Sequence, residues 1–261
     1  MTTRRPAKGK DQAHGSGQRG KAAASLALPL LELRSYVLTN GQRDALNTMF
    51  EEHFLDAYEA AGARILGVFF DADNPDRWIW IRAFSDPVAR ASALQGFYTS
   101  DAWLSLRGPA NRTIRSSSDA ILLSPLFGSI DGLGAPPGTR ARSPQSVFEC
   151  ARCFLKNGES QEESASFMEQ EVLPVLQKLG ATPVGVMINS DAPNLYPRSR
   201  LRKGGVVVWF LRFASSSAYE RHIAARKTSD AWGDAERELA RRTKKPAEYI
   251  KLLPQRRSAL R

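Results

Sequence analysis

The chain has 261 residues, 42% hydrophobic and 25% charged, with a formal net charge of +10, enough for two ordinary domains with modest cores. Residues 1–25 carry +5 and residues 237–261 carry +7, leaving about −2 between them, which argues against a folded body that reads nucleic acid through a positive stripe. No run reaches the roughly 18 apolar residues needed to cross a bilayer, and two cysteines, Cys150 and Cys153, give no disulfide framework and fit a reducing, cytoplasmic compartment.

Residues 1–26 read as a disordered basic tail. Arg4-Arg5 ahead of Ala22 to Leu31 superficially resembles a leader, but the apolar part is short, contains Pro29 and runs into a strand, while Gly9, Gly15, Gly17 and Gly20 oppose an amphipathic helix. Weak, salt-dependent contact of the basic ends with nucleic acid or anionic lipid is what this charge supports.

A first unit spans 27–126. Leu31 to Leu38 alternates loosely and ends in Thr39-Asn40-Gly41, a strand and its turn. From Gln42 to Ala61 the residues Leu46, Phe50, His53, Phe54, Ala57 and Ala61 recur at helical spacing, and Gly62 ends the helix. Arg64 to Phe70 and Trp78 to Phe84 form a hairpin around Asp71 to Asp76. Ser85-Asp86-Pro87 starts a helical stretch through Leu94, another runs through Leu106, and a short strand, Ala120 to Leu123, stops at Pro125. The order is βαββαβ.

Residues 127–146 hold four glycines and three prolines from Gly128 onward and read as a linker. A second unit, 147–254, repeats the order, with strands near 147–155, 183–188, 206–213 and 248–252 and helices near 160–179 and 216–241. Residues 255–261 read as a basic C-terminal tail.

The units are copies. Thr99-Ser100-Asp101-Ala102-Trp103 recurs as Thr228-Ser229-Asp230-Ala231-Trp232, 129 positions later, and the same offset carries Trp80 onto Trp209 and Phe84 onto Phe213. Earlier the offset is 117 or 118, taking Glu32 to Glu149 and Gly67-Val68 to Gly185-Val186. The difference locates an insertion, Asn189 to Gly205, which would put Arg198, Arg200, Arg202 and Lys203 at a hairpin tip, either solvated or serving as a gate or docking surface for an acidic ligand or protein. A βαββαβ unit leaves one sheet face bare. The expected fold is α+β: tandem ferredoxin-like domains closing into an intramolecular pseudo-dimeric α/β barrel.

Glu32-Leu33-Arg34-Ser35-Tyr36, Val172 to Leu176 with Gly180-Ala181 and Gly185, Trp80 and Trp209, and the two Asp-Ala-Trp segments resemble the NIPSNAP family of the dimeric α/β-barrel superfamily. The likeness covers about residues 30–125 and 146–254. It implies a small soluble protein of undefined biochemistry, mitochondrial in some animal members. Related barrels include cofactor-independent monooxygenases and haem-binding enzymes whose ligands lie between helices and sheet. The second copy departs, with Ala151 and Cys153 in place of Arg34 and Tyr36, so one half alone is the functional candidate.

The candidate site is Arg34, Tyr36, His53, Trp80 and Arg82. Trp78, Trp80 and Arg82 share one side of a strand, as do Arg34 and Tyr36, and an aromatic wall with two guanidiniums and an imidazole suits a planar aromatic or acidic molecule. His53 is either a core imidazole or, in an oxidising enzyme, the proton acceptor; a haem variant needs His53 or His222 as axial ligand. Cys150 and Cys153, three apart on a strand, point to opposite faces and do not readily chelate a metal. The leading reading is a non-catalytic binding or interaction module without a cofactor, and the alternative is a monooxygenase-like or haem-binding enzyme.

Overall fold

The computed structural model describes residues 30–128 and 146–260. The expected tail at 1–26 and nearly all of the linker at 127–146 lie outside the described residues. In the first half the elements are β1 (Leu30–Leu38), α1 (Arg43–Met49), a π-helical turn (Phe50–Phe54), α2 (Leu55–Ala60), β2 (Arg64–Asp71), β3 (Arg77–Phe84), α3 (Pro87–Tyr98), α4 (Asp101–Thr113) and β4 (Ile114–Gly128). In the second they are β5 (Val147–Phe154), α5 (Gln161–Phe167), a π turn (Met168–Val172), α6 (Leu173–Lys178), β6 (Thr182–Asn189), β7 (Val206–Phe213), α7 (Ser216–Lys227), α8 (Asp230–Arg242) and β8 (Glu248–Pro254). The βαββαβ order stands in both halves.

All pairings are antiparallel and close one barrel in the order β1-β3-β2-β8-β5-β7-β6-β4. Each half supplies four strands, and two seams, β2 with β8 and β4 with β6, join the halves. The strand period of two then divides the side chains. Leu31, Leu33, Ile79, Ile81, Phe148 and Cys150 fill the barrel, while Tyr36, Trp78, Trp80 and Phe84 in one half, and Cys153, Trp209 and Phe213 in the other, face the helices. Cys150 and Cys153 therefore lie on opposite sides of β5.

Local chemistry explains the repeated sequence. Ser100 and Ser229 cap α4 and α8, accepting from the backbone N–H of Trp103 (3.3 Å) and Trp232 (3.1 Å), so each Thr-Ser-Asp-Ala-Trp both starts a helix and aims an indole at the core. Asp86 caps α3 in the same way through Ala89 (2.7 Å). Gly67 stands at a register shift in β2, and a Cβ there would overlap the Phe69 ring. Gly185 occupies the matching shift in β6, where a Cβ would lie 3.0 Å from the Phe127 carbonyl oxygen. Only a residue without a side chain fits at the first.

Several expectations change. The helix at 42–61 contains the π turn, which adds to the residues per turn and rotates the following face: Phe50, Phe54 and Tyr58 are buried, and His53 turns outward. The stretch at 216–241 is two helices broken at the Ser229 cap. β4 runs past Pro125, which pairs with Met187 beside a register shift, because proline is tolerated where the ladder is already interrupted.

The C-terminal residues are not a tail. Beyond β8, the Gln255 N–H donates to the Val68 carbonyl (2.8 Å), the Val68 N–H to Ser258 Oγ (3.2 Å) and the Leu260 N–H to the Leu66 carbonyl (2.8 Å). Leu260 is fully buried in the barrel interior. The basic residues here find acids: Arg257 bonds Asp56 and the backbone carbonyl of Glu51, and Arg256 approaches the Glu51 carboxylate. The β2–β8 seam pairs over three residue positions, so this segment completes it. Leu260→Ala should cost about 2–5 kcal/mol, read as a lowered urea midpoint; an unchanged midpoint would show that the segment does not close the barrel.

Candidate functional site

The site grows from the register of β1 and β3. Glu32 pairs with Arg82, Arg34 with Trp80 and Tyr36 with Trp78, so alternate residues of the two strands form one continuous patch beneath α1, α2, α3 and α4. Glu32 is fully buried and meets three guanidiniums. Arg34 Nη1 donates to Oε1 at 2.7 Å, Arg82 Nη2 to Oε1 at 2.7 Å, and Arg90 Nε, from α3, to Oε2 at 2.6 Å. Burial alone would raise the Glu32 carboxyl, yet Arg82, Arg34 and Arg90 together hold it far below the ordinary carboxylate range. Glu32 stays ionised and has no capacity to serve as a base.

One carboxylate does not balance three buried cations. The remainder is spread over neutral acceptors and aromatic faces. Arg34 donates to the Tyr36 hydroxyl (3.1 Å), Ser199 Oγ (3.0 Å) and the Ser117 carbonyl (3.0 Å), and Arg90 to Asn194 Oδ1 (2.9 Å). The Arg82 guanidinium lies 4.7 Å from the Trp80 ring centre and 5.1 Å from that of Tyr58, which compensates where Nε and Nη1 find no hydrogen-bond partner among the described residues.

Above this floor is an aromatic cavity of about 80 Å³. Tyr36, Trp78 and Trp80 from the sheet, Phe50, Phe54 and Tyr58 from the first helical segment, and Phe97, Tyr98 and Trp103 from α3 and α4 are its aromatic wall, with Asn111 and Ser117 as polar edges. Tyr58 stacks on Phe97 at 3.6 Å. Burial pushes the Tyr58 and Tyr98 phenols up, so both keep their protons and can donate.

Of the five residues expected from sequence, Tyr36 and Trp80 line the cavity, and Arg34 and Arg82 lie behind it, tied to Glu32. His53 does not join them. It is half-exposed, with Nε2 at 4.0 Å from Glu52, because the π turn carries it off the buried face. His222, the other candidate axial ligand, is buried with Nδ1 at 2.9 Å from the Leu179 carbonyl and its ring against Phe213. Neither imidazole meets the cavity, and about 80 Å³ does not admit a porphyrin, so these residues do not fit haem. Glu32, Arg90, Tyr58 and Phe97 were missed, although a glutamate at one position of both first strands was a visible signal.

The insertion also differs from expectation. It is no projecting hairpin: Ser190 and Arg202 donate backbone N–H groups to the Leu122 and Ala120 carbonyls (2.8 and 2.7 Å), and the loop between them folds over the first half. Asn194 and Ser199 reach the arginine cluster, Tyr196 is buried and parallel to Tyr98 at 5.9 Å, and Arg202 pairs with Asp119 at 3.3 Å. Arg198 and Arg200 remain exposed.

In the second half, Glu149 meets one guanidinium, Arg226 Nη1, at 3.0 Å, and accepts from Tyr219 at 3.4 Å. Arg226 sits between the rings of Trp232 (4.1 Å) and Tyr249 (4.3 Å). Here burial outweighs Arg226, and the Glu149 carboxyl is raised. The signs are opposite in the two halves. Glu32 has a depressed value when folded, so its stabilisation is full above the usual carboxylate value and is lost as the pH falls below it; Glu149 has a raised value, so its contribution is full below the usual value and is lost as the pH rises through the raised one. Glu32→Gln should lower unfolding free energy by about 3–5 kcal/mol near neutrality, by leaving three buried cations uncompensated. In urea unfolding from pH 4 to pH 7 the gap between wild type and Glu32→Gln should widen, and that between wild type and Glu149→Gln should narrow. Parallel trends would refute the assignment.

No family model matches the chain, and no curated protein matches it. Among solved structures, an anthrone oxidase-like protein is 13% identical over 88% of this chain and 93% of that one, TM-score 0.59. A putative monooxygenase from Fusobacterium nucleatum is 10% identical over 87% and 93%, TM-score 0.55. A NIPSNAP family protein with unknown function from Agrobacterium tumefaciens is 23% identical over 40% of this chain and 93% of that one, TM-score 0.37. The full-length likenesses show the fold, a dimeric α/β barrel of the kind the NIPSNAP resemblance implied, with both halves in one chain.

Proposed function

We propose that the first half is a binding module for a small planar aromatic ligand bearing an acidic hydroxyl or carboxyl, and that it acts without catalysis and without a cofactor. The carrying observation is the pairing of a nine-ring wall with an electropositive floor. Rings supply stacking surface, and Arg34 and Arg82, acting from a low-dielectric interior, favour a partial or full negative charge on the bound ring. No Asp, Glu, His, Lys or Cys lines the cavity among the described residues, and Glu32 is locked by three arginines, which supports binding over proton transfer. A tandem NIPSNAP-type duplication in a cytoplasmic protein is the matching reading of the repeats and of two free, buried cysteines.

Oxidation of an electron-rich ring in the same enclosed cavity is the competing reading, and it lacks the proton acceptor expected of His53. Phenol should quench tryptophan fluorescence with a Kd on the order of 0.1–1 mM. Ala110→Leu, which fills the cavity, should abolish binding with the fold intact by circular dichroism. Equal affinity in that variant would place the ligand elsewhere, and oxygen uptake with hydroquinone would overturn the absence of catalysis.

A further inference from the structure

A second hollow, of about 340 Å³, lies beside the ring cavity and is lined by Tyr98, Trp103, Arg107, Tyr196 and Arg198. Tyr98 and Trp103 belong to the walls of both, packed edge to face at 5.1 Å. The rings of Tyr98 and Trp103 are thus common to the two spaces. Tyr196 and Arg198 come from the insertion of the second half, and Arg107 from α4 of the first.

We infer that this hollow is the outer subsite of the ring cavity, and that Arg107 and Arg198 there receive an anionic side arm, carboxylate or phosphate, carried by the aromatic ligand. The inference rests on the ring site proposed above and names what that reading leaves open, the substituent that selects the ligand. Both arginines are exposed, and no ion pair or hydrogen bond engages either among the described residues. Arg202 is paired with Asp119, Arg34, Arg82 and Arg90 share Glu32, and Arg200 and Lys203 line a different hollow. The two free guanidiniums come from different halves and face one space floored by three rings. Carboxylates and phosphates are the groups a guanidinium fork binds best.

The insertion acquires a reason in this arrangement. Its Asn194 and Ser199 seat it on the inner arginines, its Tyr196 lies parallel to Tyr98, and Arg198 is thereby brought to the hollow that Arg107 also lines. Exposed charges are screened by salt, so selection at this subsite depends on ionic strength.

The test uses the whole protein with three probes: 4-hydroxyphenylpropionate, its uncharged amide, and 2-(4-hydroxyphenyl)ethyl phosphate. At low salt, calorimetry should show one or both anions binding about tenfold more tightly than the amide, the tighter identifying the group, with the ratio shrinking in 0.5 M NaCl. In Arg107→Gln/Arg198→Gln the ratio should fall to about one while the amide affinity stays unchanged; both positions are exposed, so folding is spared. Inorganic phosphate at matched concentration should not displace the anions. Equal binding of anions and amide by the wild type, a ratio that survives the double substitution, or displacement by inorganic phosphate would each overturn the side-arm inference while leaving the ring site standing. If none of the three probes binds, the ring site falls and the side-arm inference with it.

Discussion

The carboxylate of Glu32 is the constraint around which the first half is arranged. It is the sole buried acid within reach of Arg34, Arg82 and Arg90 among the described contacts, and those three arginines come from β1, β3 and α3. Joining them fixes the register of the two strands, the seat of the helix and the path of the insertion in one step. Removal of any cation leaves the others closer to balance, whereas removal of the anion leaves all three exposed to a low dielectric. The aromatic wall depends on the same arrangement, since the Arg82 guanidinium lies against the Trp80 and Tyr58 faces.

The second half shows what that arrangement does by showing its absence. Glu149 keeps the strand position, yet Ala151 replaces Arg34, Leu211 stands where Arg82 does, and Tyr219 where Arg90 does. A single guanidinium then arrives from the far end of α7, held between Trp232 and Tyr249, and the pair is nearly neutral. The same backbone thus carries an electropositive floor in one half and a compensated pair in the other, which illustrates why fold alone does not give function.

Much of this was legible from residues alone. The offset between copies located the halves, the strand period put Trp78, Trp80 and Arg82 on one side and Cys150 and Cys153 on two, and Ser85-Asp86-Pro87 marked the start of α3, whereas the second Ser-Asp-Ala-Trp segment, read as the middle of one helix, starts α8. What escaped was non-local. The face of the first helix was read at 3.6 residues per turn, and a π turn at Phe50–Phe54 moved His53 out by a fraction of a turn that periodicity cannot register. The C-terminal stretch read as a tail because Arg256 and Arg257 are basic, although Ser258 and Leu260 carried the information: one hydroxyl and one apolar side chain that only a barrel seam gives a place to. Arg90, Asn194 and Ser199 lay in segments with no periodic signal, so their convergence on Glu32 and Arg34 was visible only once the chain was closed.

The seating of the insertion has a consequence for the architecture as a whole. A pair of identical subunits related by a two-fold axis must cover both of its pockets or neither, because every loop occurs twice. Fusing the pair into one polypeptide lifts that restriction: the longer β6–β7 connection folds over its neighbour, the short Asp71–Arg77 connection meets the other half at β8, where the Ala72 N–H donates to the Lys251 carbonyl, and each half is released to specialise separately. The covalent link is what permits one barrel to carry two unequal halves.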